Sequence, residues 1–203
     1  MRTVILTGFE PFGPHQYNPA QDLAREYDGK TIGDMNVKGL VLPSTYYGAF
    51  DTLSKRIEEL RPEKILSIGL ATSAETVKLE TRGRNIMNGK YADANGMKPE
   101  NVPIIAQDLE TYETTADYMR VSQILKDKNI PVEVSVDAGN FICNSLTYLT
   151  ARKIHTEGIA IKYIHIHIPW TEDYLGLVPI EPGKITLSKD TLRKTIDILL
   201  KEM

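Results

Sequence analysis

Short apolar segments rich in valine and isoleucine recur along this chain, and helical patterns separate most of them. The segments are TVILT, VKGLVLP, KILSIGL, VEVSV and IKYIHIHI. Parallel strands need long crossover connections, usually helices, and those helices cover both faces of the sheet, so that its strands become apolar on both sides. The alternation therefore predicts an α/β fold with a largely parallel, buried sheet.

The helical patterns carry recognisable start signals. Asn18 and Pro19 form an N-cap and first-turn pair, and Ser188 precedes the amphipathic segment that closes the chain. Ser44 or Thr45 is the expected cap of a helix in YYGAFDTLSKRIEEL. A further helix is expected in TADYMRVSQILKDK, where apolar residues are spaced three and four apart.

The least regular stretch spans residues 82–103 and has the sequence RGRNIMNGKYADANGMKPENVP. Its density of glycine, asparagine and proline predicts an extended hairpin or a loop excursion. Excursions of this kind often shape binding sites, so we expect this one to lie near the functional residues.

Length and charge narrow the classes of protein to consider. A chain of 203 residues suits one domain, here expected to span residues 1–203. The net charge of −3 is spread without a basic stripe, so no nucleic-acid partner is expected. Apolar stretches fall short of the about 20 residues that span a membrane, and MRTVILTGFE lacks the features of a secretory signal. We therefore expect no membrane partner and a cytoplasmic location.

The first apolar segment leads into a glycine loop, TGFEPFG, at a position where α/β proteins often bind phosphate. Gly8 and Gly13 have the spacing of a P-loop, but Pro14 stands where that motif requires lysine. The dinucleotide fingerprint needs three glycines, and this loop has only two. Phe9 and Phe12 are therefore either core residues or the walls of a site that binds something other than phosphate.

The single cysteine, Cys143, lies in DAGNFICNSLTYLTARKI, just after a strand pattern. With Asn140 as the N-cap, Cys143 falls in the first turn of a helix, where main-chain N–H groups and the helix dipole favour a thiolate. The same N–H groups can hold the oxyanion that forms when a thiolate attacks a carbonyl. A nucleophile and a buried small apolar residue remain the two interpretations of Cys143. Structural zinc sites usually contain two or more cysteines and this chain has one, so no metal is expected.

A nucleophilic thiol needs a base within hydrogen-bonding reach, and histidine is the usual one. His155 should lie about three helical turns from Cys143, which is too far. His165 and His167, in YIHIHIPW, fall on one face of a strand. His167 is nearer the carboxyl end, where ligands of open α/β sheets gather. A structural and a catalytic role both remain open for this pair.

A third group would orient the imidazole and stabilise its protonated form, as the carboxylate of a catalytic triad does. Four acidic residues near apolar strands qualify: Glu10, Glu75, Glu80 and Asp137. Glu80 alternates with Val77 and Leu79, which points it to the opposite face of a strand. Composition does not choose among the four, and a solvated carboxylate at a sheet edge is the alternative for Glu80.

Six motifs of the chain together resemble a known family. They are TGFEPFG, LP at 42–43, GLA at 69–71, LE at 79–80, AGNFICNSLTY and IHIP. In order and spacing they are similar to those of the pyroglutamyl peptidase I family, also called pyrrolidone carboxyl peptidases, over nearly the whole chain. The resemblance implies a single-domain α/β/α sandwich around a mixed, twisted sheet. It also implies no metal or cofactor, and a homo-oligomer, commonly a dimer or a tetramer.

The resemblance further implies an activity and the residues that perform it. The family removes an amino-terminal pyroglutamyl residue from peptides through a thioester acyl-enzyme, which makes the expected partner a small peptide with a blocked amino terminus. The catalytic cysteine, histidine and glutamate of the family match Cys143, His167 and Glu80.

The residues that the resemblance places around the pyrrolidone ring come from three motifs. Phe9 and Phe12 match the aromatic walls supplied by the first glycine loop, and Phe141 and Ile142 join them beside the nucleophile. Leu70 stands next to the lactam. A flat, uncharged ring fits between aromatic faces, and a pocket without a charge selects against a free amino-terminal ammonium group.

The chain also departs from the family pattern. Leu70 and Ala74 stand where glutamine and arginine are usual, Thr81 and Lys90 each take the place of an arginine, and His165 replaces an aromatic residue. These changes leave two further hypotheses. One is a related cysteine amidase or peptidase with altered specificity for the amino-terminal acyl or cyclic group, and the other is a non-catalytic binding module on the same fold.

Overall fold

The computed structural model describes residues 2–180 and 184–203, which form nine β-strands and five α-helices. The strands are β1 (Arg2–Phe9), β2 (Thr31–Ile32), β3 (Met35–Leu42), β4 (Lys64–Leu70), β5 (Val77–Glu80), β6 (Arg82–Arg84), β7 (Thr111–Glu113), β8 (Val132–Ser135) and β9 (Lys162–Ile168). The helices are α1 (Pro19–Tyr27), α2 (Gly48–Leu60), α3 (Tyr118–Asp127), α4 (Ile142–Glu157) and α5 (Lys189–Glu202). None of the helices in this part of the chain is long and apolar enough to cross a membrane.

Seven of the strands form one mixed sheet in the order β2-β3-β1-β4-β9-β5-β8. The central pairs β3–β1, β1–β4 and β4–β9 are parallel. Strand β5 runs antiparallel to β9 and parallel to β8. The predicted α/β fold with a largely parallel sheet is confirmed, and every strand segment named from the sequence belongs to this sheet.

Strand alternation divides the buried side chains between two faces of this sheet. One face, which includes Ile166 of β9, packs against α1, α3 and α5. The other face packs against α2 and α4 and includes Tyr163 of the same strand. His165 and His167 share the face of Tyr163, since side chains two residues apart on a strand point the same way. The predicted separation of the two histidines from the isoleucines is therefore confirmed.

The helix start signals near the two ends of the chain are confirmed. The Asn18 side chain caps α1 by accepting a hydrogen bond from the N–H of Ala20, and Ser188 caps α5 by accepting one from the N–H of Thr191. The expected cap of α2 is wrong, because this helix begins at Gly48 without a side-chain cap.

The segment before α2 makes other contacts instead. Ser44 Oγ donates to the main-chain carbonyl of Glu10 at 2.7 Å, and the N–H of Tyr46 donates to the Asp93 carboxylate at 3.1 Å. Thr45 is buried among these contacts. The segment is thereby fixed to two other loops, and the helix starts later than the sequence predicts.

Strands β6 and β7 form an antiparallel pair outside the main sheet. A further antiparallel bridge joins Met87 to Val102. The stretch at 82–103 is therefore a hairpin-like excursion, as predicted, although its return strand lies farther along at Thr111–Glu113.

Candidate active site

Three neighbouring strands bring a glycine, two histidines and a glutamate together. Strands β4 and β9 pair so that Gly69 lies opposite His167. Strands β5 and β9 pair so that Glu80 lies opposite His165. All four residues lie near the end of the sheet where α4 begins, because Cys143 of α4 contacts the same cluster.

Glu80 holds the ring of His167. Oε1 of Glu80 lies 2.8 Å from Nδ1 of His167, which is a normal hydrogen-bond length. The contact is diagonal across the strand pair, since His165 is the residue directly opposite Glu80. Glu80 is completely buried, so the alternative of a solvated carboxylate at a sheet edge is wrong.

The other three acidic residues that the sequence left open are exposed. They are Glu10, Glu75 and Asp137. Asp137 pairs with Arg84 at 2.6 Å. Burial next to a histidine is therefore what distinguishes Glu80 among the four candidates, and burial of that kind depends on strand pairing.

Cys143 is the second residue of α4, which begins at Ile142. The predicted N-cap, Asn140, is wrong by one residue, because Phe141 occupies that position. The side-chain oxygen of Asn140 instead accepts a hydrogen bond from Arg84 at 2.7 Å. The cysteine still lies in the first helical turn, where main-chain N–H groups have no acceptor within the helix.

Cys143 and the two histidines form a tight cluster. The Sγ of Cys143 and one nitrogen each of His165 and His167 lie within 4.8 Å of one another. Gly69 makes this approach possible, since a Cβ atom at that position would lie 2.7 Å from the Sγ and 3.0 Å from Nε2 of His165. The missing side chain of Gly69 is therefore the space that the thiol occupies.

The two histidines differ in their ionisation. Burial alone would lower the pKa of His167, but its interactions with Cys143 and Glu80 raise that pKa above its ordinary value. Burial lowers the pKa of His165 well below its ordinary value, and the charge on His167 lowers it further. The surroundings therefore favour the protonated ring at His167 and the neutral ring at His165.

A cavity of about 460 Å³ opens beside Cys143 and His167. All five residues predicted to surround a ring line it: Phe9, Phe12, Leu70, Phe141 and Ile142. The ring centroid of Phe12 lies 6.0 Å from that of Phe141 and 5.2 Å from that of His15. Phe9 is only 3% exposed and packs in the apolar core as well as lining the cavity.

The described lining of the cavity contains a lysine but no acidic residue. The lysine is Lys90, from the excursion. Burial and the nearby Lys90 charge lower the pKa of His15, which also lines the cavity. An ammonium group entering the cavity would find no carboxylate to pair with among the described lining residues.

Two of the residues that depart from the family pattern reach this cavity. Leu70 ends β4 and packs with Trp170 and Tyr174 in a small apolar cluster at the cavity wall. Lys90 lines the cavity from the excursion. Ala74 and Thr81 are buried outside its lining.

Sequence reasoning missed the contacts that hold the excursion against α4. The buried side chain of Asn144 donates to the carbonyls of Arg84 and Ile86, at 2.8 and 2.9 Å, and accepts from the N–H of Arg84 at 2.8 Å. A Cβ atom at Gly83 would lie 2.2 Å from the main-chain nitrogen of Tyr148. An asparagine directly after the cysteine and a glycine between two arginines were the available signals.

The sequence matches one family of known proteins. The sequence model of that family, pyroglutamyl peptidase, matches residues 2–197. A pyrrolidone-carboxylate peptidase of Bacillus cereus is 33% identical over 201 residues, covering 99% of this chain and 92% of that protein. One from Bacillus anthracis is 32% identical over 201 residues, with the same coverage of 99% and 92%.

Solved structures give the same result. The pyrrolidone carboxyl peptidase from Thermococcus litoralis superposes with a TM-score of 0.93 at 30% identity, covering 99% of this chain and 92% of that one. That of Pyrococcus furiosus superposes with a TM-score of 0.90 at 28% identity, covering 98% and 96%. The chain therefore belongs to the pyroglutamyl peptidase family, as its motifs indicated.

Proposed function

We propose that this protein is a cysteine exopeptidase that removes a pyroglutamyl residue from the amino terminus of small peptides. One arrangement carries the proposal: Cys143 and His167 lie together at the wall of an aromatic cavity, and Glu80 is hydrogen-bonded to His167 behind them. No carboxylate lines this cavity among the described residues. Membership in a family of peptidases supports the reaction class, and the names of the relatives supply the substrate.

The resting state of the site is a thiolate beside an imidazolium. His167 takes the proton of the Cys143 thiol, and the raised pKa of His167 keeps the ring protonated. Glu80 accepts from Nδ1 of His167, which leaves Nε2 to face the thiol and stabilises the positive ring. The nucleophile is thus formed before substrate enters.

The thiolate then attacks the carbonyl carbon that follows the lactam ring, and a C–S bond forms as the carbonyl oxygen becomes an oxyanion. The N–H groups of Ile142 and Cys143, in the first turn of α4, have no acceptor within the helix and would hold that oxyanion. His167 gives its proton to the leaving amine as the C–N bond breaks, which leaves a thioester. Water, deprotonated by His167, then releases pyroglutamate and restores the thiol.

Selection of a blocked amino terminus follows from the cavity. Phe9, Phe12 and Phe141 offer apolar faces to a flat five-membered ring. A free amino terminus would bring an ammonium group next to Lys90 with no carboxylate to compensate for its lost water. Peptides that begin with a neutral lactam are therefore bound, and peptides that begin with an ordinary amino acid are disfavoured.

Cleavage of a coumarin amide tests the proposal. The reduced protein should release aminomethylcoumarin from pyroglutamyl-aminomethylcoumarin and leave the alanyl compound, whose amine is protonated, largely intact. Cys143→Ala should reduce kcat by a factor on the order of 10⁶, because the nucleophile is lost. Failure of the intact protein to cleave the pyroglutamyl compound, or full turnover by Cys143→Ala, contradicts the proposal.

The apolar cluster around Leu70 favours a second candidate, a related peptidase or amidase for a different amino-terminal acyl or cyclic group. Leu70 offers no hydrogen bond to a lactam and packs against Trp170 instead. Leu70→Gln separates the two candidates: a gain of tenfold or more in kcat/KM on the pyroglutamyl compound indicates a native pocket tuned to a less polar group. A loss indicates that Leu70 belongs to the lactam pocket as it stands.

We also propose that the protein acts as a homo-oligomer, a dimer or a tetramer, in the cytoplasm. Leu175 and Leu177, two residues apart in one segment, are 57% and 59% exposed, which supports an interface at that segment. Sedimentation equilibrium of the purified chain tests the assembly, and a monomer at micromolar concentration contradicts it. Fractionation of the source cells tests the location.

A further inference from the structure

We propose that Cys143, His165 and His167 form a binding site for one Zn²⁺ ion, and that zinc bound there closes the active site reversibly. The three side chains offer one sulfur and two imidazole nitrogens, all within 4.8 Å of one another. This set of donors is one that zinc prefers. The proposal concerns metal binding and stands apart from the choice of peptide substrate.

The residue that points to a ligand is His165, because the hydrolytic steps do not use it. It is completely buried, and neither of its ring nitrogens has a hydrogen-bond partner among the described residues. Buried polar atoms are nearly always paired, and an unpaired one destabilises the fold. A metal ion next to the ring would supply a partner for one of these two nitrogens.

Gly69 is the residue that lets the three donor side chains approach one another. A Cβ atom at this position would lie 2.7 Å from Sγ of Cys143, 3.0 Å from Nε2 of His165 and 3.1 Å from Cδ2 of His167. Tetrahedral zinc would hold its sulfur and nitrogen ligands about 3.3–3.6 Å from one another, given Zn–S and Zn–N bonds of about 2.3 and 2.0 Å. The donor atoms, which lie within 4.8 Å of one another, therefore need to move together by up to about an ångström to hold the ion.

A carboxylate that would support one of the zinc ligands is already in place. Nδ1 of His167 is hydrogen-bonded to Glu80, which leaves Nε2 as the free donor. A carboxylate behind a ligating imidazole fixes the ring orientation and strengthens the metal bond. Cys143 is partly exposed to the cavity, so an ion has a route in and a fourth position open to water.

Binding of one zinc ion releases one proton from the site. Cys143 and His167 share one proton between Sγ and Nε2, and both atoms must donate a lone pair to the metal, so that proton goes to solvent. No bond within the protein breaks and no electron is transferred. With both atoms coordinated, the nucleophile and its acid–base partner are unavailable, so peptide cleavage stops until a chelator removes the ion.

Zinc titration of the full chain, kept reduced with a phosphine, tests the site. Competition with a chromophoric chelator should give one Zn²⁺ per wild-type chain. His165→Phe keeps a flat ring of similar size and should weaken zinc binding by at least about 100-fold, because one of the three ligands is lost. His155→Ala removes an exposed histidine on α4 outside the site and should leave both zinc affinity and peptide cleavage unchanged.

X-ray absorption of the zinc-loaded wild-type chain gives a second readout that needs no folded variant. One sulfur and two imidazole ligands are expected at the zinc. Absence of stoichiometric zinc binding, equal affinity in wild type and a folded His165→Phe, or a spectrum with one sulfur and one imidazole overturns the proposal. Because none of these readouts depends on turnover, they separate failure of the zinc site from failure of the proposed peptidase.

Discussion

The two faces of the central sheet are built from the same strands and bury different chemistry. Toward α1, α3 and α5, on what we call the apolar face, strands β4 and β9 bury leucine and isoleucine: Leu66, Ile68, Ile164, Ile166 and Ile168. The exception is Lys64 at the start of β4, which donates to main-chain carbonyls of α5. Toward α2 and α4 the same two strands bury Ser67, His165 and His167, and β5 adds Glu80. We call this side of the sheet the polar face. Alternation along a strand keeps the two sets apart, so one face can carry stability while the other carries the reactive groups.

The largest effect on the polar face is expected from Glu80→Gln. The amide keeps the size of the side chain but removes the charge that stabilises the protonated ring of His167, so kcat/KM should fall by about 10³–10⁴-fold, as for the equivalent change in serine triads. The measurement is the pyroglutamyl-coumarin assay, with the free energy of unfolding determined in parallel. Glu75→Gln, at an exposed position, is the matched control.

A small effect of Glu80→Gln on turnover, below about tenfold, would place Glu80 among the structural residues. The polar face would then serve stability as the apolar face does, and the division between the two faces would not hold for β5.

The converse change is Leu66→Ala on the apolar face. Leu66 is completely buried on β4, and its truncation should lower the free energy of unfolding by about 2–5 kcal/mol through lost apolar contact and the cavity left behind. Below the melting temperature, kcat/KM should stay within about twofold of wild type, because the change lies across the sheet from the site. Urea unfolding and the coumarin assay measure the two quantities. A fall in kcat/KM comparable to that of Glu80→Gln would show that the faces are coupled.

The pH dependence of turnover reports on the polar face directly. The raised pKa of His167 means that the imidazolium persists as pH rises above the ordinary value of 6.5 and is lost only at a higher pH. The alkaline limb of the kcat/KM profile should therefore lie above pH 6.5. In Glu80→Gln it should move to lower pH, because one of the groups that raise the pKa of His167 is weakened. An alkaline limb at 6.5 or below in wild type contradicts the thiolate–imidazolium pair.

The smallest effect is expected from Thr7→Val on β1. Thr7 is completely buried, and its hydroxyl has no hydrogen-bond partner within the described part of the chain. Valine has nearly the same shape, so the free energy of unfolding should stay equal or rise by up to about 1 kcal/mol. Urea unfolding measures it. A loss of more than about 1 kcal/mol would show that the hydroxyl is bonded in solution.

Local patterns predicted the parts of the structure that local forces determine. The strand segments and the caps at Asn18 and Ser188 depend on residues that are neighbours in sequence, and all are found as predicted. The cap of α2 failed because Ser44 is bonded to Glu10, which is 34 residues away in sequence. A long-range contact of this kind leaves no trace in the helical pattern.

The same limit applies to the site. Helix-start and strand-end arguments placed Cys143 and His167 near one another, but the residues alone left four carboxylates open. The partner of His167 is decided by the antiparallel pairing of β5 with β9, which joins groups 87 residues apart. The family resemblance identified Glu80 as the carboxylate. Rules based on periodicity do not predict which strands pair. The lack of hydrogen-bond partners for the His165 nitrogens could not be predicted from the sequence either, since it depends on what packs around the ring.

A substitution of Gly69 would separate binding of the peptide from its cleavage. The nearest obstacle to an added methyl group there is the terminal sulfur of Cys143, and a side-chain end can rotate aside where a main-chain atom cannot. Gly69→Ala would therefore leave a folded protein whose cavity keeps its walls while the thiol is turned out of line. Such a protein would capture blocked peptides without cutting them, and would serve as an affinity reagent for finding the natural substrates of the enzyme.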